Sequence, residues 1–175
     1  MEASSGHLRV LWGGTQRRGT ARLQRVQWNG QLEIDRGALK ILGAVNPQSL
    51  EDRATQTHSR GVQWNWSTAG ELAGLELLVN AGAASELTFR SVVQQFRCRI
   101  EDVLSSERTW DAGGLDRRII VGPAPRADGP SSFHIVCEDE NPLHRSAAYW
   151  VRICQTNQAM AWSSPVFVRN PRGER

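Results

Sequence analysis

Lysine is almost missing from this chain: of its 21 basic residues one, Lys40, is a lysine and the other 20 are arginines, a bias that reads as GC-rich coding and carries no function of its own. Charge of one sign is scarce too. The 21 basic residues face 18 acidic ones, a net charge of +3 spread along the chain, which gives no basic patch of the kind nucleic acid requires. No apolar run approaches the ~18 residues of a membrane span, and the start Met1-Glu2-Ala3-Ser4-Ser5-Gly6 has neither the basic nor the apolar region of an export signal. Neither nucleic acid nor membrane is therefore expected as a partner, and the cytoplasm is the default location. Cysteine is limited to Cys98, Cys137 and Cys154, an odd number without a C-x-x-C pair, which excludes a zinc ribbon or a disulfide framework and leaves reduced thiols.

Motifs for chemistry are also missing. His7, His58, His134 and His144 form no H-x-H or H-E-x-x-H arrangement, and in a strand His134 and Cys137 would point to opposite faces, which opposes shared metal ligation. The run Glu138-Asp139-Glu140-Asn141 lacks the frame of a calcium loop and reads as a solvated loop. Ser105-Ser106 and Ser163-Ser164 have no nucleophile elbow around them. No phosphate-binding glycine loop occurs, and no cofactor is expected.

What the chain does contain is short apolar runs separated by turn residues. At 175 residues it fits one domain with a core over about 8–168, and residues 1–7 and 169–175 are expected to be flexible. The runs predict strands over 8–12, 21–28, 31–34, 62–68, 74–79, 86–100 (bent or divided), 115–121, 132–138, 148–155 and 161–168. The expected fold is all-β: a two-sheet antiparallel β-sandwich of about nine or ten strands. Val92, Phe96, Cys98 and Ile100 share one face of their run, opposite Gln95, Arg97 and Arg99, and Phe133, Ile135 and Cys137 repeat the pattern, so Cys98 and Cys137 are placed in the core. Asn29-Gly30 predicts a two-residue hairpin, and 46–59 reads as a long polar loop with one short helical turn.

Tryptophan is the residue in excess, seven against one tyrosine and four phenylalanines. Trp64 and Trp66 lie two apart, so in a strand their rings project from one face. That face is either core, the favoured reading, or, with Trp162, a platform for stacking on a sugar ring. The arginines Arg97, Arg99, Arg117 and Arg118 form a strip better read as a solvated sheet face than as an anion site.

Four segments in order carry a family resemblance. They are Trp28-Asn29-Gly30; Trp66-Ser67-Thr68-Ala69-Gly70; Gly113-Gly114-Leu115-Asp116; and Tyr149-Trp150-Val151-Arg152-Ile153-Cys154-Gln155 leading into Ala161-Trp162-Ser163-Ser164-Pro165. Together they are similar to the C-terminal β-rich region of microbial proteins related to the PHP (polymerase and histidinol phosphatase) metal-dependent phosphoesterases. The chain departs from that pattern at Trp150, where tyrosine is usual, at Cys154, and in the absence of glycine from the last turn. The closing motif predicts a terminal hairpin in which Pro165, which lacks an N–H, sits at an edge or bulge. The resemblance covers none of the metal-binding catalytic half, so it implies a chain without catalytic residues of its own: a structural or interaction module. Its partner would be a PHP-like catalytic domain or a second copy of itself, and a carbohydrate-binding module built on the tryptophans is the alternative.

Overall fold

The longest strand among the described residues runs over Ala3–Arg18. A computed structural model describes residues 3–18, 22–125, 132–139, 146–155 and 160–169, with the side chains of 3–4, 16–18 and 22–24 not described. In chain order the strands are β1 (Ala3–Arg18), β2 (Arg22–Gln24), β3 (Val26–Gln27), β4 (Gly30–Ile34), β5 (Ala38–Val45), β6 (Arg53–His58), β7 (Gly61–Asn65), β8 (Ser67–Thr68) and β9 (Leu72–Gly82). There follow β10 (Glu86–Ser91), β11 (Gln95–Arg99), the helix α1 (Ile100–Ser105), β12 (Arg108–Asp111), β13 (Leu115–Pro123), β14 (Ser146–Tyr149), β15 (Arg152–Cys154), β16 (Met160–Trp162) and β17 (Val166–Arg169). Contacts group them into two compact units, Met1–Ala124 and Pro125–Arg175.

The first unit is an antiparallel β-sandwich. One sheet has the order β12-β13-β1-β9-β5, with β2 on the far end of β1; the other runs β11-β10-β4-β7-β6. Alternation along β1 sends Leu8, Val10 and Trp12 inward, and their cross-strand partners Leu77, Leu75 and Ala73 on β9 share that face, as do Val121 and Ile119 on β13 opposite Val10 and Trp12. On the second sheet Leu32 lies between Val62 and Phe89, and Ile34 opposite Leu87, with all five side chains in the same buried cluster. Leu11 points the other way, into a small outer cluster with Val45 and Leu72.

Aromatic rings run through the core. Trp12 stacks on Trp64 with centroids 4.6 Å apart and meets the edge of Trp66 at 5.6 Å. The series continues from Trp64 to Phe89 at 5.2 Å, to Phe96 at 5.0 Å and to Trp110 at 3.8 Å. Edge-on and offset contacts of this kind add to what burial alone supplies.

Both pairs of sandwich edges are closed by side chains. Between β5 and β6, the Gln56 amide donates to the carbonyls of Leu39 (3.0 Å), His58 (2.7 Å) and Gly61 (3.1 Å), and the Leu39 N–H donates to the Ser59 carbonyl at 2.7 Å. Between β11 and β12, the stacked rings of Phe96 and Trp110 lie beside a hydrogen bond from the Gln94 amide to the Asp111 carbonyl at 2.9 Å. These contacts tie the two sheets together at both ends.

Several expectations change. The polar loop over 46–59 contains β6, whose exposed residues give no apolar period to read; it is an edge strand held by its neighbour β7. Strand β5 is not evident in the sequence because apolar residues are adjacent in it, at Ile41-Leu42 and Ala44-Val45, although burial alternates along it; its pairing with β9 shifts register between Ile41 and Gly43. Asn29-Gly30 is not a hairpin: β3 pairs with β8 while β4 pairs with β7 and β10, so the chain passes there from one small sheet to a larger one. Glycine is required at 30 because a Cβ would overlap the Arg90 carbonyl and come within 2.8 Å of the Trp64 ring. The run 86–100 divides into β10 and β11, with Val92 exposed in the bend. It ends in α1, whose Ile100, Val103 and Leu104 have helical spacing and pack on the core. Residues 132–138 form no strand among the described residues, and Cys137 is exposed rather than in the core.

Cys98 does lie half-buried against the core, and loss of solvation there, with Asp102 as the next cause, pushes its thiol up to about 11. At pH 8.5 to 9.5 iodoacetamide should therefore alkylate Cys137 and Cys154 well before Cys98, as peptide mapping by mass spectrometry would show. Because the raised value belongs to the folded state, the stability that Cys98 contributes as a neutral thiol is complete below the unfolded value of 9.0 and is lost as pH rises toward 11. Equal labelling of all three thiols at pH 9 would contradict the burial.

Candidate functional site

The second unit is a β-ribbon. Strand β14 pairs with β17, from Ser146↔Arg169 to Tyr149↔Val166, and β15 pairs with β16, from Arg152↔Trp162 to Cys154↔Met160. Two residues, Trp150 and Val151, lie between these ladders on one strand and three, Ser163, Ser164 and Pro165, on the other. The ribbon thus carries a bulge at the proline, where the sequence places an edge or bulge. The bulge is pinned: the Ser163 N–H donates to the Val151 carbonyl, and the Val151 N–H donates to the Ser163 Oγ, both at 2.9 Å. The expected turn at 156–158 lies outside the described residues.

Tyr149 donates its O–H to Asp139 at 2.6 Å, tying the 132–139 stretch to β14, and the carboxylate acceptor raises the phenol above its ordinary value of 10.0. Around this contact the ribbon is apolar and open to solvent. Trp150 is 62% exposed, Trp162 60% and Phe167 76%, and Phe133, Ile135, Val151, Met160, Val166 and Val168 are exposed with them. A hairpin with one wet face alternates apolar and polar residues; Val166-Phe167-Val168 does not, so both faces of β17 are apolar.

The residues singled out from the sequence fall into two groups. Trp28, Gly30, Trp66, Thr68, Gly113, Gly114 and Leu115 belong to the sandwich unit. The Trp28 indole donates to Thr68 Oγ1 at 2.8 Å, the Thr68 hydroxyl donates to the Gly14 carbonyl at 3.3 Å, and the Trp64 indole donates to the Trp28 carbonyl. Gly113 and Gly114 take positive φ, +70° and +67°, in the turn before Leu115. Tyr149, Val151, Arg152, Trp162, Ser163, Ser164 and Pro165 form the ribbon. The stacking platform needs correction: Trp64 and Trp66 are 4% and 1% exposed, shared between the two sheets, and only Trp162 of the three presents a ring to solvent.

One polar cleft of about 280 Å³ opens beside the sandwich, lined by Arg25, Gln27, Glu51, Asp52 and Asn65 among others. Its groups are mostly spent on each other. Asp52 accepts from the N–H groups of Gln48 and Ser49 at 2.8 Å and of Ser67 at 3.2 Å, and the Gln27 amide donates to Asn65 at 2.7 Å. The cleft holds the loop before β6 in place and has no aromatic surface for a sugar.

Among the described residues, no three His, Cys, Asp or Glu side chains gather as a metal site would need. His58 pairs with Glu33 at 3.6 Å, beside Arg90, and His134 is exposed; His144, Glu140 and Asn141 lie outside the described residues. Ser105 donates to the Glu101 carbonyl at 2.6 Å, an in-helix contact. The arginine strip does not converge: Arg97 and Arg99 sit on β11 and Arg117 and Arg118 on β13, in different sheets, with Arg99 paired to Glu101 and Arg118 to Asp116. No helix among the described residues is long and apolar enough to cross a membrane. No family model, curated protein or solved structure matches the chain.

Proposed function

We propose that this chain is a non-catalytic interaction module, a β-sandwich that carries an apolar docking ribbon. The observation that supports it is the exposure of Trp150, Trp162, Phe167 and their aliphatic neighbours on one short ribbon. Apolar surface costs ~25 cal/mol per Å² in water, and contiguous patches beyond a few hundred Å² mark sites of association. The resemblance of the closing motif supplies a setting: an accessory part that follows a PHP-like metal-dependent hydrolase domain, with the hydrolytic chemistry left to that domain. The carbohydrate-binding alternative is weaker, because two of its three rings are in the core.

Two measurements on the full chain test the reading. With Mn²⁺ or Zn²⁺ and a panel of phosphomonoesters and phosphodiesters, hydrolysis should not exceed that of the metal alone; turnover that vanishes on heat denaturation would overturn the non-catalytic assignment. The folded chain should also bind the apolar dye ANS, and the double substitution Trp150→Ser/Phe167→Ser should cut that signal by about half or more while leaving the unfolding midpoint in place. A wild-type chain that does not bind the dye has no docking surface.

A further inference from the structure

Side chains bridge the two sheets of the sandwich at both of its edges. Gln56 bridges β5 to β6, and the Phe96–Trp110 stack closes β11 against β12. Among the described residues β14 and β17 pair only with each other, so each has one open edge. Proteins guard such edges with lysine, inward charge, proline or a covering element. Strand β17 has Val166, Phe167 and Val168 with a single charge, Arg169, at its end. A two-stranded ribbon is also marginal in water until further strands extend it.

We infer that the open edge of β17 is completed by β17 of a second copy of this chain, giving a two-fold dimer joined through a four-stranded sheet β14-β17-β17-β14. This deepens the docking reading above and rests on it. The edge is self-complementary. An antiparallel pair centred on Phe167 sets the two Phe167 side chains against each other and each Val166 against the other copy's Val168, so no like charges oppose one another.

Sedimentation velocity on the full chain over a range of concentrations tests this, with dye binding measured in parallel. The expected result is a dimer that Phe167→Lys/Val168→Lys weakens on the order of a hundredfold, because lysines then face each other across the axis. Thr55→Lys on the exposed edge strand β6 should leave the dimer intact. A wild-type monomer that still binds ANS overturns the dimer and keeps the docking reading; a monomer that does not bind it overturns both. A dimer that survives the β17 substitutions, or dissolves with Thr55→Lys, overturns the assigned edge. Should the lysine variant fail to fold, hydrogen exchange on the wild type decides: protection of amides 166–169 should rise with protein concentration, and protection independent of concentration sinks the inference.

Discussion

Trp12→Ala is expected to lower the unfolding free energy by about 3–5 kcal/mol, the range for a large aromatic removed from a close-packed core. The ring is fully buried and spans the sandwich: its backbone belongs to the central strand of one sheet, while its faces meet Trp64 of the other sheet and the edge of Trp66. Neither tryptophan can follow an alanine inward, since the Trp64 indole is held by the Trp28 carbonyl and β8, next to Trp66, pairs with β3. The cavity therefore stays open, and the ring–ring contacts, worth ~0.5–1.5 kcal/mol each, are lost with it. Urea unfolding should show a lower midpoint at an unchanged slope. The matched control is Trp162→Ala, expected within about 0.5 kcal/mol in the unfolding of the sandwich because that ring is exposed. Comparable losses from the two substitutions would mean that the aromatic series is not what joins the sheets.

Gly74→Ala is expected to be nearly as damaging, by about 3 kcal/mol. On β9 a Cβ at this position would overlap the Val10 carbonyl and lie 2.9 Å from the Leu11 Cα, and both atoms are backbone of β1. Backbone in the middle of a sheet cannot step aside, because β13 holds β1 on its other flank. Gly43→Ala in the neighbouring β5 meets nothing within 4 Å and should be neutral or stabilising by up to ~1 kcal/mol through the unfolded chain. Thermal unfolding of the pair separates them; similar midpoints would show that β1 can shift after all.

How much of this could be read in advance varies with the source of the signal. Alternation made Leu8–Trp12, Leu32–Ile34 and Phe96–Cys98 legible as half-buried strands, and the all-β class followed from the number of such runs. Proline chemistry made the bulge at Pro165 legible. Strand β6 was not, because its pairing comes from β7 and Gln56 rather than from any apolar period of its own. Asn29-Gly30 misled, since a glycine needed for a close approach looks in sequence like a glycine needed for a turn. For the tryptophans, spacing placed Trp64 and Trp66 on one face, but only the second sheet determined that this face is covered. The ribbon was visible as a hairpin; its exposure was not, because the same apolar letters spell a core strand and a docking strand.

Strand β1 has a bearing on how the protein is made. Its residues 3–18 are made well before both neighbours with which they pair, β9 at Leu72–Gly82 and β13 at Leu115–Pro123. At ~5–20 residues per second, synthesis leaves Leu8, Val10 and Trp12 without their ladder for several seconds. Contacts that far apart in sequence also close slowly. This part of the nascent chain is thus most exposed to aggregation before residue 82 is free of the exit tunnel, and a holdase that recognises apolar strands would find its binding site on β1.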